Sequence, residues 1–180
     1  MHTRNIEIYD IFSLLESRFE AILNKLTEAE SIALRMLNST EISMEYGELK
    51  NIIETVYPDI YMTIDLEKKY LYPELKNILP DQSSVEAIAE EHTSIIGLLF
   101  SIRENLRTKD IFFCNIYNIQ SQIIGLIDIV QRNIHKKENI MFYEAQALPD
   151  ETLKRIYNDS IKELDQMLLK YSEICNVNQN

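Results

Sequence analysis

Two segments about seventy residues apart close long helical patterns in the same way. The first is Glu67-Lys-Lys-Tyr-Leu-Tyr-Pro-Glu-Leu75 and the second is Lys137-Glu-Asn-Ile-Met-Phe-Tyr-Glu-Ala145. In each, a charged residue is followed four and five places on by an aliphatic-aromatic pair, Leu71-Tyr72 and Met141-Phe142. A chain that ends two helical patterns alike reads as two related helical hairpins. Two hairpins packed together make a four-helix bundle.

The apolar periodicity agrees. A first helix is predicted over Ile6 to Leu37, with Ile8, Ile11, Phe12, Leu15, Phe19, Ile22 and Leu26 on one stripe, continued by Leu34 and Leu37. A polar loop is expected from Asn38 to Gly47. The second helix is placed at Glu48 to Leu79, with Leu49, Ile53, Tyr57, Ile60, Ile64 and Leu71 inward. Pro58 and Pro73 each remove a backbone donor, so a kink or break is expected at both. Ser83-Ser84-Val85-Glu86 reads as a capping box opening a third helix to Arg107, with Ile88, His92, Ile95, Leu99, Ile102 and Leu106 on one face. Asp110 suits the N-cap of a fourth helix to Ala147, whose stripe is Ile116, Ile119, Ile123, Ile127, Val130, Ile134 and Met141. After Leu148-Pro149-Asp150 a fifth amphipathic helix runs over residues 150–175, with Leu153, Ile156, Tyr157, Ile161, Leu164, Leu168 and Tyr171 as its apolar face. No segment alternates with period two. The expected fold is all-α: an antiparallel up-down four-helix bundle over residues 6–147, with an additional C-terminal helix, in a single domain of 180 residues.

Composition narrows the function. With 46% hydrophobic residues the chain can bury a core, and three glycines and four prolines are too few for a many-turned β-sandwich. A formal charge of −11 disfavours nucleic acid and anionic membranes as partners. Cys114 and Cys175 form no CxxC pair and read as two free thiols in a reducing compartment. No leader-like or membrane-spanning apolar run is seen, so a soluble, cytoplasmic protein is expected and the Asn38-Ser39-Thr40 and Asn158-Asp159-Ser160 sequons carry no weight.

Strong chemical motifs are missing. There is no Gly-rich phosphate loop, HExxH, CxxC or GxSxG, and no Glu-x-x-His pair, since Ala89 and Arg132 stand three before His92 and His135. No enzyme activity is expected.

The helix order, with Glu67-Lys-Lys-Tyr-Leu-Tyr-Pro73, Glu91-His92-Thr-Ser-Ile95 and Asn133-Ile-His-Lys-Lys-Glu-Asn-Ile-Met-Phe142, resembles the hemerythrin-like (HHE cation-binding) family over residues 6–147. That resemblance implies a histidine on the first helix of each hairpin and a His-x-x-x-Glu pair on the second. Together these would hold two non-heme irons that bind oxygen or related ligands. Carried over, the first-helix histidine falls at Phe19. The first pair falls at Thr63 and Glu67. The second hairpin keeps His92 but has Asn133 and Lys137 in place of its pair. Two of six positions survive, and an ammonium at 137 opposes a metal cation. His135 lies one residue past the Ile134 stripe and does not restore the set.

Two readings follow. In the first, the chain is a non-enzymatic bundle with a degenerate di-iron site and no expected cofactor, acting in sensing or interaction with a protein partner or a second copy. Phe19 and Thr63 then fill the centre, and Glu67 and Lys137 pair across it in place of the metal carboxylates. In the second, a non-heme iron site around Glu67 and His92, completed by Tyr61, Glu91 or water, binds oxygen or nitric oxide. Tyr57, Tyr61, Tyr70 and Tyr72 are otherwise expected inward, with their hydroxyls at the rim.

Overall fold

A computed structural model of the chain describes residues 11–38, 42–79, 81–107 and 113–177, with side chains over 115–172 of the last segment. Those residues form five long helices and no strand. They are α1 (Ile11–Met36); α2 (Ile42–Leu66), prolonged by a π-helical turn (Glu67–Leu71) and α3 (Tyr72–Ile78); α4 (Ser83–Asn105); α5 (Phe113–Lys136), prolonged by a second π turn (Lys137–Met141) and α6 (Phe142–Ala145); and α7 (Asp150–Val177). The expected start at Ile6, the Asp110 cap, and the side chains of Cys114 and Cys175 lie outside what is described.

Contacts close a ring in which α1 packs on α2 and α5, and α4 packs on α2 and α5. Each pairing is antiparallel. Residues 18 and 25 of α1 meet 63 and 59 of α2, and residues 54 and 67 of the α2 rod meet 103 and 92 of α4. Similarly, Glu91 of α4 meets Asn133 while Asn105 meets Gln122. α7 lies outside, against α1, α2 and the first π turn. Arg155 reaches Glu74, and Glu163 takes both Lys69 and the Tyr70 hydroxyl.

Several boundaries differ from expectation. α2 begins at Ile42 rather than Glu48, because Ile42 and Tyr46 continue its apolar line and the Tyr46 hydroxyl donates to the Leu106 carbonyl. Gly47 sits inside the helix. Pro58 makes no break; its missing N–H frees the Glu54 carbonyl, which accepts from the Tyr171 hydroxyl of α7 at 3.2 Å. At Pro73 the chain stays helical, in the first turn of α3 directly after the π turn. At the start of α4 the cap is supplied from upstream: the Asp81 carboxylate accepts from Ser83 N at 2.9 Å and from its hydroxyl at 2.8 Å, so the capping box does not form.

Two phases also shift. Leu34 is exposed, and the α1 line continues instead through Ala29, Ile32, Ala33 and Met36. On α5 the buried line passes through Leu126, Val130, Asn133 and Lys137, leaving Ile127 and Ile134 half-buried. On α7, Ile156 and Leu164 are buried while Leu168 and Tyr171 are exposed.

The core has two main apolar parts. One gathers Phe19, Ile60, Ile64, Ile95 and Val130 with the residues toward the far end of the bundle. The other gathers Leu15, Leu71, Tyr72, Ile88, Met141 and Phe142 around the π turns. Between them, at residues 63–67, 92 and 133–137, lies a buried polar layer.

Candidate functional site

Each π turn opens on the buried charged residue of its copy, Glu67 or Lys137. The Tyr72 and Phe142 amides reach back to the Glu67 and Lys137 carbonyls, the i to i+5 bond of a π turn. In an α-helix, side chains five apart stand about 140° from each other. The wider turn swings Tyr72 back over Glu67, and its hydroxyl donates to Glu67 Oε2 at 3.1 Å. Sequence reasoning left Tyr72 at the rim; the π turn places it in the layer.

Glu67, His92 and Lys137 meet as a group. His92 Nε2 is 3.1 Å from Glu67 Oε2. Lys137 Nζ is 2.7 Å from Glu67 Oε1, so the expected pairing across the bundle is present. The Phe19 ring covers the ammonium, its centroid 3.9 Å away. The Tyr72 and His92 rings stack with centroids 5.8 Å apart. Lys137 Nζ and Glu67 Oε1 are in contact but off hydrogen-bond alignment, and neither has an aligned partner elsewhere.

Charge states follow from burial and neighbours. Burial raises the Glu67 carboxyl, but the Lys137 charge and the His92 hydrogen bond outweigh it and hold the group below its ordinary range. Burial lowers the Lys137 ammonium, with Glu67 opposing. Burial also lowers His92, against its bond to Glu67 and with the Lys137 charge adding to the effect. At neutral pH Glu67 is a carboxylate and His92 a neutral imidazole whose Nε2–H donates to it, with Lys137 Nζ against the other carboxylate oxygen. The Tyr72 phenol is driven far upward by burial and then by the Glu67 charge.

The remaining substituted positions are occupied by bonds of their own. Thr63 donates its hydroxyl to the Asp59 carbonyl at 2.7 Å and accepts from Arg18 Nε at 2.8 Å. Asn133 donates its amide to Glu91 Oε2 at 3.0 Å, and Lys136 also binds Glu91. Tyr61, 53% exposed, is outside the layer and cannot complete a site there. His135 is at the surface beside Asn139. Arg18, which no motif singled out, enters because it immediately precedes Phe19 and reaches across to Thr63 of α2.

These residues do not fit the di-iron centre that the resemblance implies. An ammonium stands against the carboxylate that would ligate, a phenyl ring fills the histidine position, and Glu67 and His92 bond each other. Among the described residues, no three His, Cys, Asp or Glu side chains are grouped to hold a metal ion. Compared with known protein families and with curated proteins, the chain matches none. No described helix is long and apolar enough to cross a membrane.

Proposed function

We propose that this chain is a non-enzymatic bundle of the hemerythrin-like type in which an internal ion pair has replaced the di-iron centre, and that it acts in sensing or protein interaction. The observation that carries the reading is the Lys137 ammonium, 2.7 Å from Glu67 in a fully buried layer. A fixed cation at that place repels a second one and uses the carboxylate that a metal would need. What supports an interaction role is the second half of α7, where Leu168 and Leu169 are 45% and 64% exposed.

The test is metal analysis with a visible spectrum, on protein purified from iron-rich growth and again after anaerobic Fe(II) loading. The expected result is no stoichiometric iron and a featureless visible region. About two irons per chain with oxo-bridge charge-transfer bands would overturn the reading in favour of an iron protein binding oxygen or nitric oxide.

A further inference from the structure

Glu67 and Lys137 meet in a setting where an ion pair is one of two chemical states open to the same atoms. Nζ is 2.7 Å from Oε1, and both side chains are shut off from solvent. Their contact lacks hydrogen-bond alignment. The other carboxylate oxygen, Oε2, is held by two donors, the Tyr72 hydroxyl and His92 Nε2, each at 3.1 Å. The Phe19 ring closes the far side of the amine, and apolar clusters seal the layer above and below. A nucleophilic amine in contact with a carboxyl, and two donors on the oxygen that would gain charge, are the parts of an acyl transfer.

We propose that Glu67 and Lys137 condense into an intramolecular amide that joins the first π turn covalently to the second. One proton passes from the ammonium to Oε1, giving a neutral amine and a neutral acid. The Nζ lone pair attacks Glu67 Cδ, and the charge that develops on Oε2 falls between Tyr72 and His92. Oε1 takes a second proton from Nζ and leaves as water when the Cδ–Oε1 bond breaks. Of the three protons on nitrogen, one stays on the amide and two depart with the water, so no further reagent is needed. Burial that penalises both charges favours the product, which carries neither. Burial also lowers the Lys137 ammonium, which helps the first proton move. The Glu67 carboxyl, raised by burial, is drawn back below its ordinary range by Lys137 and His92. The carboxylate is therefore the resting form of Glu67, and the amide forms slowly from it. Tyr72 and His92 act on the reacting oxygen, whereas Phe19 is a positioning residue.

The inference rests on this geometry and not on the proposed function, and mass and metal content are read separately. The experiment is intact-mass measurement of the purified full chain, incubated folded at neutral pH, followed by proteolysis and peptide mapping. The expected result is a species lighter by one water that grows with time and yields a branched peptide linking Glu67 to Lys137. Lys137→Arg keeps the charge and should retain the full sequence mass. Tyr72→Phe keeps both reactants and should slow the water loss roughly 100-fold. The proposal is overturned if the wild-type chain stays at full mass through prolonged incubation with both residues in separate linear peptides. It is equally overturned if the water loss maps elsewhere or persists in Lys137→Arg.

Discussion

Phe19 has two neighbours of opposite character, and its substitution separates them. One side packs in the apolar cluster with Ile60 and Ile64, and the ring face lies 3.9 Å from the Lys137 ammonium. Phe19→Ala removes both and opens a cavity beside a buried cation, so it is expected to cost about 3–5 kcal/mol in denaturant unfolding. A loss under about 1 kcal/mol would mean that the ring is not packed there. Lys137→Ala acts on the other partner. It leaves the Glu67 carboxylate with the Tyr72 and His92 donors but no cation, which raises its pKa and destabilises the chain by about 3–5 kcal/mol. Because burial penalises both charges, Glu67→Leu combined with Lys137→Met should recover much of that loss. A double variant no more stable than Lys137→Ala, measured on chains of full sequence mass, would contradict this account. At this scale the sequence was informative where a position has one outcome. Phe19 stands on the apolar line of α1, and Thr63 was placed at the centre by the resemblance and not by periodicity; both turn inward. Tyr61 was not readable, because its place beside the buried line of α2 is settled by the helix phase and not by its chemistry.

At the scale of elements, the helical repeat fixed five helices and their order, since a stripe every three or four residues has few other solutions. The π turns were hidden. Nothing in Glu67-Lys-Lys-Tyr-Leu71 distinguishes a five-residue turn from an α-helical one, and the second copy forms it without a proline. The recurrence of the motif was the only available signal. Pro58 is instructive in the opposite sense. Its local rule predicted a kink or a break; the helix runs through it unbroken, and the carbonyl it frees is met by a donor from α7, more than a hundred residues on. Tyr171→Phe should therefore cost about 1 kcal/mol. The cost should shrink in a Pro58→Ala background, where the Glu54 carbonyl regains its own helical N–H. An unchanged cost across this double-mutant cycle would show that the Tyr171 hydroxyl acts elsewhere.

For the molecule as a whole, a polar layer placed between two apolar clusters makes stability depend on pH in both directions. On the acid side three groups pull the same way. The Glu54 carboxyl is held below its ordinary range chiefly by the Arg103 hydrogen bonds, against burial. Burial raises Glu91, but its bonds to Lys136 and Asn133 bring it below the ordinary value. Burial lowers His92, so the imidazole must be neutral in the fold. In each case the unfolded chain binds more protons than the folded one, so stability rises with pH through each window. The His92 contribution is gained as pH rises from its lowered folded value to the ordinary value of about 6.5. The carboxylate contributions are complete above their ordinary values of about 4, and are lost as pH falls through the depressed folded ones. On the alkaline side Tyr72 reverses the sign. Its phenol is raised by burial and by the Glu67 charge, so above about pH 10 the unfolded chain releases a proton that the folded chain keeps. From these groups stability is expected to climb from acid to neutral pH and to fall above about pH 10, while the lowered Lys137 ammonium adds a rise between its folded value and its ordinary one of about 10.5. Thermal unfolding across this range checks the shape. Tyr72→Phe, with no phenolic proton to lose, should weaken the alkaline fall while leaving the acid limb in place. An alkaline limb identical to that of the wild-type chain would place its cause at other tyrosines, such as Tyr46, whose phenol burial also raises.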